Sequence, residues 1–169
     1  METVQRTATS KDGTIIAFEQ TGKGPAVILV AAALADRGGT TRLARHLARR
    51  FTVVNYDRRG RGKSTETKPY AVEREVEDIE ALIDASGGSA LVFGSSSGSV
   101  LALEAASELA AKTRKLFMYE PPFIVDDSHP PMPDDLMKRV TSSCPRAIGT
   151  MRSSCSLPEA WAFRPLPPL

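Results

Sequence analysis

Between Ala26 and Tyr119 the sequence alternates short apolar runs with longer stretches of helical period, and few folds accommodate that order. The runs Ala26 to Ala31, Phe51 to Tyr56, Ser89 to Gly94 and Lys115 to Tyr119 are rich in valine, isoleucine and leucine and are bounded by glycine or charge. Each is short enough for a buried or half-buried strand. Strands that alternate with helices need crossover connections, which are right-handed, so the expected class is α/β, with a mostly parallel twisted sheet covered by helices on both faces. Ahead of them, Thr3 to Ser10 and Thr14 to Gln20 flank Asp12-Gly13, a pair suited to a tight hairpin turn. Six strands are expected.

The intervening helices differ in character. Thr41 to Arg50 is amphipathic and ends in arginines, which favour the negative end of a helix dipole. In Ala71 to Ser86, Val72, Val76, Ile79 and Ile83 recur at three- and four-residue spacing, with glutamates and aspartates opposite, and Gly87-Gly88 stops the helix. That spacing predicts a surface helix with one buried face. Ser97 to Ala111 has almost no polar face and reads as a central helix packed on most sides.

At 169 residues, 41% of them hydrophobic, the chain is long enough to bury one core. Its formal net charge of +2, from 22 basic and 20 acidic residues, is spread along the chain. No basic stripe invites a phosphate backbone, so nucleic acid is not an expected partner. The N-terminus lacks an apolar leader and no run reaches transmembrane length, so no membrane association and a cytoplasmic location are expected. Two cysteines, Cys144 and Cys155, are too few for a disulfide framework or a zinc cluster and read as reduced bystanders. Ten of the 12 prolines fall between Pro121 and Pro168. The expected organisation is a core over 1–143 and an irregular proline-rich tail over 144–169, with a possible helix from Pro133 to Ser142.

The stretch Leu91 to Leu103, LVFGSSSGSVLAL, carries Gly94-Ser95-Ser96-Ser97-Gly98 where a strand ends and a helix begins. That context turns the weak pattern G-x-S-x-G into a nucleophile elbow, a sharp turn lifting the middle serine, Ser96, off the sheet. Glycine is needed two residues either side because the turn is crowded. The Ser97 N–H, at the helix N-terminus, is placed to donate to the oxyanion of a tetrahedral intermediate.

With these residues the chain resembles the α/β-hydrolase superfamily. Asn55 to Ser64, NYDRRGRGKS, looks like the family's loop after the fourth strand, YEPPF at Tyr119 to Phe123 is similar to the segment after the sixth, and YAVEREVEDIEALIDASGGSA to the helix before the elbow strand. The resemblance covers about Gly13 to Val140 and implies strand order 1-2-4-3-5-6 with the second strand antiparallel. It implies Ser96 as nucleophile and, by position, Ala33 as the second oxyanion N–H donor beside Ser97. Asp57 and Arg59 match loop-structuring positions. The start of a lid segment is implied near 120–143. The expected reaction is hydrolysis of an ester or related small-molecule bond, with no metal or organic cofactor.

Such a serine needs a base and a carboxylate to orient it. Of the two histidines, His46 lies on a helix matched to the first crossover, and His129 follows the sixth strand with Asp126 and Asp127 nearby. Glu120, which ends the sixth strand, is a candidate acid. Asp36 and Arg37 read as a solvated loop near the mouth of the site. The family's acid and histidine normally follow a seventh and an eighth strand, which the sequence does not display, so a truncated or frame-shifted hydrolase of little activity is expected. Ending the sheet at the sixth strand is expected to leave an edge open to self-association. Two rival readings stand beside this one. Gly62-Lys63-Ser64 resembles the end of a phosphate-binding loop, but Asp57 occupies the position that needs glycine. A non-catalytic remnant or interaction module would explain the missing base.

Overall fold

The Asp12-Gly13 pair turns the chain back on itself. Gly13, at φ 83, takes a conformation that costs glycine nothing, and the Ser10 N–H donates to the Thr14 carbonyl at 2.8 Å. This joins β1 (Thr3–Thr9) to β2 (Ile15–Thr21) as an antiparallel hairpin. The computed structural model of the chain describes residues 2–33, 35–123, 125–126 and 135. The expected helix from Pro133 to Ser142, the tail over 144–169 and both cysteines lie outside the described residues, apart from Asp135 in the first of these. Residues up to Val125 form one compact unit.

After the hairpin come β3 (Ala26–Val30), a 3-10 turn (Arg37–Thr40), α1 (Thr41–Leu47), β4 (Thr52–Tyr56), α2 (Val72–Asp84), β5 (Ala90–Ser95), α3 (Ser97–Glu108) and β6 (Thr113–Tyr119). They build a six-stranded sheet in the order β1-β2-β4-β3-β5-β6, in which β2 is antiparallel to both neighbours and β4, β3, β5 and β6 run parallel. This is the α/β class that the alternation of runs predicts and the strand order that the family resemblance implies. Every residue of β3 is buried, as a central strand covered on both faces must be. On one face Ile28, Val30, Val54 and Val92 pack with Val76, Ile79 and Ile83 of α2 and with Leu101 and Ala105 of α3. On the other, Val27, Leu29 and Val53 pack with Ala44 of α1.

Three expectations change in detail. α1 stops at Leu47, three residues early, because the Leu47 carbonyl takes the N–H groups of both Arg50 and Phe51 as the chain turns into β4. On α2, Glu75 and Asp78 are buried rather than solvated, and Val72 is 47% exposed; the acids are drawn inward by arginines from the preceding loop. α3 buries only the side carrying Leu101, Ala102 and Ala105, leaving Val100 and Leu103 exposed, because among the described residues no element covers its outer side. Among those residues no helix is long and apolar enough to cross a membrane.

Candidate active site

Gly94 and Gly98 allow β5 to run into α3 through a single turn. A Cβ on Gly94 would fall within 3.0 Å of the Gly98 and Ser99 backbone, and one on Gly98 would strike the carbonyls of Val30 and Ala31. Between them Ser96 adopts φ 51 and ψ −125, a strained conformation for a residue with a side chain. Long-range bonds impose it. The Ser96 N–H donates to the Tyr119 carbonyl at 2.9 Å, and the Ser99 N–H donates to the Ser96 carbonyl at 2.8 Å. The buried Ser99 hydroxyl donates to the carbonyls of Gly94, at 2.8 Å, and Tyr119, at 3.0 Å. Ser96 itself is exposed.

As the first residue of α3, Ser97 has an N–H with no intrahelical acceptor, so it is available at the elbow. Ala33 lies in the loop after β3, where the turn bond joins the Ala35 N–H to the Ala32 carbonyl at 3.2 Å and leaves the Ala33 N–H out. The same loop touches the elbow, since the Val30 and Ala31 carbonyls lie against Gly98. The loop that carries Ala33 therefore starts against the elbow that carries Ser96 and Ser97. Glu120 is brought near as well: it directly follows Tyr119, whose carbonyl binds the elbow, and it is exposed at φ 48. His46 is not, being exposed in the last turn of α1, which packs on β4. His129 lies outside the described residues.

The loop after β4 contacts the loop after β3 through Arg58 and Arg61. Asp57 accepts the backbone N–H groups of Arg37, at 3.0 Å, and Lys63, at 2.9 Å, while the Ser64 hydroxyl donates to its carbonyl at 2.6 Å. Amides that a phosphate-binding loop would offer a nucleotide are thus turned toward the chain's own carboxylate. Arg37, expected in a solvated loop, is mostly buried, with Nε 3.7 Å from Asp57, and Asp36 caps the 3-10 turn by accepting the Gly38 N–H at 2.7 Å. Arg58 forks onto Glu75 at 2.6 and 2.5 Å, and the Tyr70 hydroxyl donates to the same carboxylate. Arg59 forks onto Asp78 at 2.8 and 2.7 Å and also reaches Asp12 at 2.8 Å.

Burial works against ionising Glu75, but the hydrogen bonds and charge of Arg58 outweigh it and lower its pKa. Asp12 is likewise held well below the usual carboxylate range, with burial overcome by Arg59 and the Thr14 N–H. Ser99 and the Glu75 and Asp78 pairings escaped the sequence reading.

Comparison with known proteins bears on the family and the fold. A family model described as the alpha/beta hydrolase family matches residues 27–168. An alpha/beta hydrolase from Sphaerobacter thermophilus is similar in structure, with a TM-score of 0.78 and 53% sequence identity, over 83% of this chain and 54% of that one. An epoxide hydrolase from an endophytic Streptomyces aligns with a TM-score of 0.65 at 25% identity, over 69% of this chain and 36% of its own. An uncharacterised hydrolase of Bacillus subtilis is 34% identical over 113 residues, which is 64% of this chain and 42% of the relative. The chain thus spans between 36% and 54% of the length of these relatives.

Proposed function

Because the chain belongs to the alpha/beta hydrolase family, we propose that it is a hydrolase in which Ser96 attacks the carbonyl carbon of an ester or related small-molecule bond. The Ser96 hydroxyl proton passes to a base, the Ser97 and Ala33 amides hold the resulting oxyanion, and collapse of the tetrahedral intermediate expels the alcohol. Water then releases the acyl group from Ser96. The observation that supports this reading is Ser96 itself, exposed and held at φ 51 between two glycines at which a Cβ would meet backbone atoms.

His129 is the one candidate in this chain for the base, and Glu120 for the acid that would orient it. Neither matches the family's usual place, so weak turnover is expected. Removing the base of a serine hydrolase costs on the order of a millionfold, while the oxyanion hole and binding retain about 10³ to 10⁴ over water. Hydrolysis of p-nitrophenyl acetate by the chain and its Ser96→Ala and His129→Ala variants tests this. Slow turnover that is lost in Ser96→Ala and kept in His129→Ala is expected. Equal rates in the chain and Ser96→Ala would refute the nucleophile, whereas turnover above about 1 s⁻¹, within the ordinary enzyme range, that vanishes in both variants would make His129 the base. A second reading, a non-catalytic interaction module, is favoured by the exposed Phe117 and Tyr119 of β6 and requires that no turnover depend on Ser96.

A further inference from the structure

Three arginines of the loop after β4 point inward, and two of them spend their charge on carboxylates: Arg58 on Glu75, and Arg59 on Asp78 and Asp12. Arg61 differs. Among the described residues no carboxylate pairs with it, and it is half-buried; its Nη1 donates to the Ala32 carbonyl at 3.2 Å and comes within 3.5 Å of the Ala35 carbonyl. Arg58 adds a longer contact from its Nη1 to the Ala31 carbonyl at 3.3 Å. The loop after β3 is therefore held by its carbonyl side.

That hold sets the direction of an N–H. A trans peptide is planar, with its C=O and the next N–H pointing opposite ways, and the one cis bond among the described residues is Lys68-Pro69. The Ala32 carbonyl and the Ala33 N–H share one peptide plane, so the bond that draws the carbonyl to Arg61 turns the N–H away from it. We propose that Arg61 is a positioning residue for the oxyanion hole: its guanidinium pins the Ala32 carbonyl and so aims the Ala33 N–H toward the place where the oxyanion forms at Ser96. The inference rests on Ser96 as nucleophile and adds a device that orients the second donor.

Two further observations support it. A cation on the carbonyl of a peptide polarises the same peptide's N–H, making it a stronger donor. Burial first, and then the neighbouring charge of Arg58, hold Arg61 below the ordinary arginine value despite the opposing attraction of Glu75, so a negative charge developing nearby would favour its charged form. The loop also presents Arg61 rigidly: its N–H donates to the Arg58 carbonyl at 3.0 Å, and its carbonyl takes the Ser64 N–H at 2.9 Å. Neighbouring Gly62, at φ 52, has no room for a Cβ beside the Asp57 carboxylate.

A fluorophosphonate probe separates this role from a structural one. On labelling, a bond forms between Ser96 Oγ and phosphorus, the P–F bond breaks, fluoride leaves, and the serine proton passes to solvent; the phosphoryl oxygen then occupies the oxyanion position. The full chain and its Arg61→Gln, Arg61→Lys and Ser96→Ala variants are labelled, the adducts are located by mass spectrometry, and their phosphorus resonances and melting temperatures are recorded. Expected are an adduct on Ser96 in the full chain, labelling slowed roughly tenfold or more in Arg61→Gln, an intermediate rate in Arg61→Lys, a displaced phosphorus resonance in Arg61→Gln, and melting temperatures close to that of the full chain. Equal rates in the full chain and Arg61→Gln would overturn the inference while leaving Ser96 as nucleophile. So would slower labelling with an unmoved phosphorus resonance, which would make Arg61 structural alone. A full chain labelled no more than Ser96→Ala would overturn the nucleophile and the inference together.

Discussion

A side chain held at positive φ costs about 1–3 kcal/mol, and Ser96 is held at φ 51 where its N–H extends the β5–β6 ladder to the Tyr119 carbonyl and its carbonyl takes the Ser99 N–H in the first turn of α3. The strain predicts an unusual ordering of variants. Ser96→Gly, freed of the Cβ, should be more stable to denaturant than Ser96→Ala by about 1 kcal/mol, although glycine ordinarily loses to alanine. Alanine as the more stable of the two would show that the turn is unstrained. Gly98→Ala meets a different obstacle, backbone carbonyls that cannot swing aside, and is expected to destabilise the fold by roughly 1–3 kcal/mol in the same assay. Ser96, Gly94 and Gly98 were legible in the sequence because the turn's demands are local. Ser99 was not, since its hydroxyl serves the Tyr119 carbonyl, 20 residues away, and no local pattern announces a partner at that distance.

On α2 the same limit recurs across a whole element. Helical periodicity puts Glu75, three residues after Val72 and four before Ile79, at the margin of the apolar stripe and Asp78 beyond it, and an acid in either place ordinarily meets solvent. Here the stripe widens to include them because Arg58 and Arg59 arrive from 17 and 19 residues earlier to neutralise them. Removing one partner of such a buried pair leaves the other charge uncompensated, so Arg59→Ala is expected to cost about 3–5 kcal/mol in denaturant unfolding. A loss below 1 kcal/mol would mean that Asp78 finds water. Asp12 adds a pH dependence whose sign is set by its lowered pKa. A carboxyl with a folded-state pKa below its unfolded value of 3.8 stabilises the fold fully above that value and ceases to do so as pH falls through the folded one. The stability gap between the chain and Asp12→Asn should therefore be widest above pH 3.8 and close below it; a gap that does not change on acidification would refute the link to Arg59.

For the whole molecule, the class was readable because alternation and handed crossovers leave few arrangements, whereas the strand order came from the resemblance to the α/β-hydrolase superfamily. The exposure of α3 was not, because an apolar helix carries no mark of which neighbours cover it. β6 pairs with β5 alone among the described residues, and Phe117 and Tyr119 on it are 51% and 58% exposed. An unpaired edge beside apolar side chains recruits other chains, so concentration-dependent association is expected by light scattering and should weaken in Phe117→Lys. A monomer at every concentration would contradict this. Whether the elbow presents Ser96 as a nucleophile is read from where a fluorophosphonate attaches to the full chain. One adduct per chain is expected, mapped by peptide mass to Ser96 and abolished by Ser96→Ala; attachment elsewhere, or to the variant as readily as to the chain, would show that Ser96 is not the nucleophile.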